Sequence, residues 1–124
     1  MKKVFQTKFG KPDGNCFAAC LASILELPIE EIPDYKQPEG RWFRNYRKWI
    51  KQYGLDLLII EDISHEDFIP DVCCIVSGTS PRGLMHAVVY QGTEMIHDPH
   101  PEGGGVKHIT DRIYLLSKDI TISK

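Results

Sequence analysis

The chain has 124 residues, with 15 Lys and Arg against 17 Asp and Glu, a formal net charge of -2, 42% hydrophobic residues and 26% charged ones. Those proportions fit one globular domain over 1–124 and exclude a disordered or low-complexity chain. The charge balance gives no general attraction to nucleic acid or to an anionic membrane, and no apolar run approaches the ~20 residues that span a bilayer.

Lys2, Lys3, Lys8 and Lys11 form a modest basic cluster, read as a solvated N-terminal arm. No apolar signal segment follows the Lys-Lys start, so the expected compartment is the cytoplasm. Asp13, Gly14 and Asn15 make a turn, with Asp13 or Asn15 as the natural helix N-cap. From Cys16 to Leu27 the residues Phe17, Cys20, Leu21, Ile24 and Leu25 recur on one helical face, and Pro28 closes the pattern. Cys16 therefore stands in the first turn of a helix. Free backbone N–H groups and the helix dipole there favour a thiolate, so a lowered thiol pKa is expected. Cys20, one turn on, is expected to be a small buried hydrophobe. All four cysteines, Cys16, Cys20, Cys73 and Cys74, are read as free thiols, because adjacent strand cysteines point to opposite faces and a chain of this size needs no disulfide.

PIEEIPDY reads as a short helical turn between prolines and KQPEGRW as a loop. A second helix is expected from Trp42 to Tyr53, with Trp42, Tyr46, Trp49, Ile50 and Tyr53 in one stripe and Arg44, Arg47, Lys48 and Lys51 facing water. Gly54 ends it. Beyond it the period falls to two, and LDLLIIE, CCIVSG, HAVVY and EMIH read as short strands, with Gln91-Gly92 as a hairpin turn and Ile113 to Leu116 as a further strand. The fold class is α+β, N-terminal helices packed on a mainly antiparallel sheet. SGTSPRGLM and DPHPEGGGVKH are irregular. Arg82, in the first, reads as a solvated turn residue, with anion binding as its alternative. In the second, Glu102 and Gly103 to Gly105 read as a mobile rim.

Acyl transfer needs a nucleophile, a base that takes and returns its proton, and a group that orients the base. His86 opens the strand HAVVY and Asp98 follows EMIH. A hairpin with Tyr90 and Thr93 flanking its turn sets His86 near Ile96, His97 or Asp98, so that Asp98 accepts the His86 Nδ1–H. These residues resemble the papain-like superfamily, and within it the C39-like bacteriocin-processing cysteine peptidases. Asn15-Cys16-Phe17-Ala18-Ala19-Cys20-Leu21-Ala22 is similar to that family's nucleophile segment, and His86-Ala87-Val88-Val89 and Asp98-Pro99 are similar to its later motifs.

The resemblance covers Asp13 to Pro99 and implies a papain-like fold with Cys16 as nucleophile, His86 as base and Asp98 as orienting residue, acting on a peptide or protein substrate without a cofactor or metal. Where that family carries an oxyanion-hole Gln six residues before the nucleophile, this chain has Gly10. Gln6 or the side chain of Asn15 is the expected substitute. Phe17 replaces a small Gly, and its ring is expected to wall the cleft or point into the core. Two other readings stand beside a peptidase or thiol acyl-transferase: an inactive papain-like binding or adaptor protein, and a metal site built on His97, His100 and His108 with Cys16 or Cys73.

Overall fold

The computed structural model describes residues 1–10, 13–36, 40–61 and 68–117. Helix α1 runs over Cys16–Leu25. It ends two residues before the expected Leu27, because Glu26 takes a left-handed conformation (φ 58°) and the N–H groups of Glu26 and Leu27 both donate to the Ala22 carbonyl. The segment from Pro28 adds a single 3-10 turn at Ile29–Glu31. Residues 37–39 of the expected KQPEGRW loop, and Lys11 of the basic cluster, lie outside the described residues. Helix α2 spans Trp42–Ile50, tightens into a 3-10 turn over Lys51–Tyr53 and stops at Gly54, whose φ of 73° suits glycine.

Five strands follow: β1 (Leu55–Glu61), β2 (Cys73–Thr79), β3 (Met85–Gln91), β4 (Glu94–His97) and β5 (His108–Ser117). They form one sheet in the order β1-β5-β2-β3-β4, every neighbouring pair antiparallel. The α+β arrangement is therefore two helices beside a five-stranded antiparallel sheet. Strand β5 begins five residues before the expected Ile113, through His108-Ile109-Thr110-Asp111-Arg112, where polar residues break the apolar signature. Both α1 and α2 pack on one face. Leu21, Ala22, Tyr46 and Ile50 from the helices meet Leu57, Ile75, Val89 and Ile113 from the strands in the main core. Alternation sends Cys74, Val76, Val88 and Tyr114 to the other face, where they form a smaller cluster. Arg112 closes that face: it is buried, donates to the Gly92 carbonyl at 2.9 Å and lies 5.4 Å from the centre of the Tyr90 ring. All four cysteines are free thiols, and Cys20 is fully buried. Among the described residues, no helix is long and apolar enough to cross a membrane.

Two expectations are corrected. The N-terminal residues are not a solvated arm. Lys2 N–H donates to the Ser23 carbonyl, Val4 N–H to Ser23 Oγ and Gln6 N–H to the Pro99 carbonyl, so the segment straps α1 to the chain just past β4. The hairpin turn is Gly92-Thr93, with Gln91 opposite Glu94. Gly92 sits at φ 61°, in the first central position that a two-residue hairpin reserves for glycine.

The sheet carries one severe close approach. At Gly78 a Cβ would lie 1.9 Å from the backbone oxygen of His108, beside the bulge where β2 and β5 shift register between Ser77 and Gly78. Backbone cannot yield as a side-chain end can. Gly78→Ala is therefore expected to lower stability by about 3 kcal/mol or more, whereas Gly40→Ala, with none of the described residues near the added methyl, should change it by less than ~0.5 kcal/mol. Equilibrium urea unfolding of the two variants checks this, and similar midpoints would refute the close approach.

Candidate active site

Helix α1 packs chiefly against β3, and this brings its N-terminal tip to the strand's first residues. The Cys16 thiol lies within hydrogen-bond reach of the backbone N–H groups of Ala87, Phe17 and Cys16 itself. His86, immediately before Ala87, is buried, and its Nε2 is 2.7 Å from Asp98 Oδ1. Cys16, His86, Gln6 and Asn15 all line one cavity of about 470 Å³. The imidazole thus meets the carboxylate through Nε2 and leaves Nδ1 as its other nitrogen, the reverse of the expected Nδ1 contact. Among the described residues, no hydrogen bond joins the Cys16 sulfur to His86.

Register explains how Asp98 arrives. Pairing of β3 with β4 ends at His97 opposite Val89, three residues short of His86, after a shift between Val89 and Tyr90. The chain then leaves the sheet, and the Asp98 side chain returns to the imidazole. Its carboxylate also accepts the His100 N–H on Oδ1 and the Gly105 N–H on Oδ2, both at 2.8 Å. Gly103, Gly104 and Gly105 all have positive φ (70°, 99° and 65°), so the triple glycine is a shaped loop in which side chains would be strained. Arg82 Nη1 donates to the Gly103 carbonyl at 2.9 Å and ties this loop to the SPRG turn. The sequence showed the glycines and Arg82; that a backbone N–H from the loop supports the carboxylate depends on a fold it does not display.

Gln6 stands ten residues before Cys16, yet the strap carries it into the cavity as a buried residue. Its Nε2 donates to the Lys8 carbonyl at 2.9 Å, leaving a second amide hydrogen. Asn15, the other expected oxyanion donor, is turned elsewhere. Its Oδ1 accepts the Thr7 and Lys8 N–H groups, its Nδ2 donates to Thr7 Oγ1, all at 3.0 Å, and it makes no side-chain cap on α1. Asn15 thus fixes the turn that delivers Gln6. Of the two expected caps, Asn15 occupies the N-cap position of α1 and Asp13 does not. Phe17 walls the cavity, its ring centre 5.1 Å from Trp42 and 4.8 Å from Tyr46. The Tyr46 hydroxyl donates to the Pro33 carbonyl and accepts the Tyr35 N–H, fixing that wall.

Burial decides the protonation states. It raises the Cys16 thiol pKa above its ordinary value despite the surrounding N–H groups, contrary to the lowered value expected from a helix N-terminus. Burial also lowers the His86 pKa, and Asp98 only partly offsets it. For Asp98 itself burial opposes ionisation, but the His86 contact and the two backbone N–H groups outweigh it and hold the carboxyl below its usual range. At neutral pH the resting site is neutral thiol, neutral imidazole and carboxylate.

His97 and His100 do not converge as ligands: His97 Nε2 donates to the Val4 carbonyl at 2.7 Å, and His100 Nδ1 accepts the Glu102 N–H at 3.0 Å. His108 begins β5 on an exposed stretch. Among the described residues, no three His, Cys, Asp or Glu side chains are grouped to hold a metal ion. No family model, curated protein or solved structure matches this chain.

Because the Asp98 charge favours the protonated imidazole, Asp98→Asn should shift the His86 pKa further down, by about 1 unit or more. Histidine NMR titration of the parent and the variant measures this. An unchanged or raised value would show that the carboxylate does not act on the ring.

Proposed function

We propose that this chain is a papain-like thiol enzyme, a cysteine peptidase or acyl-transferase that acts on a peptide or isopeptide bond of a peptide or protein substrate. The observation that carries the reading is that His86, buried against Asp98, lines the same cavity as a cysteine in the first turn of α1. Four free thiols fit a cytoplasmic setting. Cys16 is the nucleophile, His86 the general base and acid, and Asp98 the group that orients and charge-balances the imidazole.

The neutral resting state sets the order of events. As the Cys16 sulfur attacks the carbonyl carbon, His86 Nδ1 takes the thiol proton, and the imidazolium that forms is stabilised through Nε2 by Asp98. The carbonyl oxygen gains the electron pair and is held by the Cys16 N–H and the second Nε2 hydrogen of Gln6. Collapse breaks the C–N bond, and His86 returns its proton to the leaving amine, producing a thioester. Water or a second amine then attacks, His86 takes its proton, and the thiol is regenerated as the C–S bond breaks.

A binding or adaptor role is the second reading, favoured by the raised thiol pKa and by the missing hydrogen bond between Cys16 and His86. The two readings separate with a peptidyl acyloxymethyl ketone, an electrophile that needs a cysteine assisted by a base, scored by intact mass and peptide mapping. Labelling at Cys16 is expected in the parent, slowed about 10²–10⁴-fold in His86→Ala. Equal labelling of parent and variant would leave the binding role. Plain iodoacetamide should instead react with Cys16 at a rate that rises toward and beyond pH 9, since the buried thiol holds its proton above the usual value; a plateau near pH 6 would show a preformed thiolate–imidazolium pair.

A further inference from the structure

Two buried side-chain atoms among the described residues have no hydrogen-bond partner, Gln6 Oε1 and Asp111 Oδ1, and both residues line the Cys16 cavity. Both atoms are acceptors, and the mechanism above uses neither. A buried acceptor left unpaired costs ~1–3 kcal/mol, so this cavity is built for a guest that brings N–H donors.

Sheet register fixes where Asp111 stands. Ala87 on β3, Ser77 on β2 and Asp111 on β5 lie side by side across the sheet. With strands ~4.8 Å apart, the row places Asp111 about 10 Å from Ala87, whose N–H meets the Cys16 thiol. Ala87 and Ser77 are small, so the floor between thiol and carboxylate is low, while Phe17, Trp42 and Tyr46 supply an aromatic wall. An extended Lys or Arg residue whose carbonyl sits at the thiol spans that distance, its alkyl stem along the wall. The other charged groups of the cavity are engaged: Asp34 pairs with Lys36, and Arg82 donates to the Gly103 carbonyl. Burial pushes the Asp111 carboxyl above its usual range, against the Ser77 and Thr110 hydroxyls and with help from the Glu61 charge. An arriving cation reverses that shift.

Resting on the thiol-enzyme reading, we propose that the cavity selects substrates with a cationic side chain, Lys or Arg, on the acyl side of the bond attacked, with Asp111 as its counter-ion.

Two acyloxymethyl ketone probes, identical except for Lys or norleucine next to the reactive group, test this against the parent and Asp111→Asn. The Lys probe is expected to label Cys16 about tenfold faster than the norleucine probe in the parent, and at nearly the same rate in Asp111→Asn, with the norleucine rate unchanged. That unchanged rate, with an unchanged thermal transition, shows that the near-isosteric variant is folded. Equal rates in the parent, or a Lys preference that survives in the variant, would overturn the proposal. If neither probe labels Cys16, the thiol-enzyme reading fails. Binding of N-acetyl-lysine amide against N-acetyl-norleucine amide, followed by NMR, then decides on the cation site: a Lys preference lost in Asp111→Asn retains it, and no preference removes it.

Discussion

A carboxylate removed from water must have its lone pairs filled, and Asp98 is the group around which this end of the molecule is arranged. Three donors fill it: the His86 ring, the His100 N–H and the Gly105 N–H. Each donor imposes a constraint. The ring requires the chain to leave β4 just after His97; the two N–H groups require the loop to curl over the carboxylate within seven residues, which it does through three successive glycines at positive φ. Arg82 then clamps the loop from the neighbouring turn, and the Gln6 N–H clamps the Pro99 carbonyl from the N-terminal strap. The imidazole is thus held from behind by elements distant in sequence, with Nδ1 as the nitrogen not bonded to Asp98.

The same burial that makes those bonds strong also keeps the thiol and imidazole uncharged. A helix N-terminus offers Cys16 an electrostatic advantage of about 1 kcal/mol, modest beside the penalty for ionising a half-buried sulfur between α1 and β3. On the proposed reading, charge separation belongs to the moment of attack, when the substrate fills the cavity and the imidazolium forms against a carboxylate already in place. On that reading the arrangement trades resting reactivity for selectivity, since an unassisted electrophile meets only a neutral thiol.

Elements with uniform periodicity were legible in the sequence. Helix α1 and strands β1 to β4 stand within a residue or two of their apolar patterns, and α2 with its closing 3-10 turn fills the expected Trp42 to Tyr53, because each buries a single face against the common core. What failed were places where tertiary contact overrides local pattern. Strand β5 carries Asp111 and Arg112 in its interior, one lining a cavity and the other covering the far face, and neither resembles a strand residue in isolation. Asn15 stands at the N-cap position, as its residue type suggests, but spends its side-chain amide on Thr7 and Lys8 instead of on the helix. Cys16, His86 and Asp98 were readable as a set from order and spacing, whereas the ring nitrogen that meets Asp98, the supporting Gly105 N–H and the placement of Asp111 by strand register depend on the fold.

That register turns on one irregularity. Strict alternation along β5 would put Ile109 on the same face as Asp111 and Ile113, toward the helices, where its side chain would stand at the end of the cavity. The extra residue at Thr110 prevents this. Ser77 faces Asp111, but Gly78 faces Ile109, so the shift carries Ile109 to the face of Val76. Gly78 is the partner that permits it, since only a residue without Cβ can accept the His108 carbonyl so closely. The bulge and the glycine together set the register at which Asp111, opposite Ser77, lines the wall of a cavity.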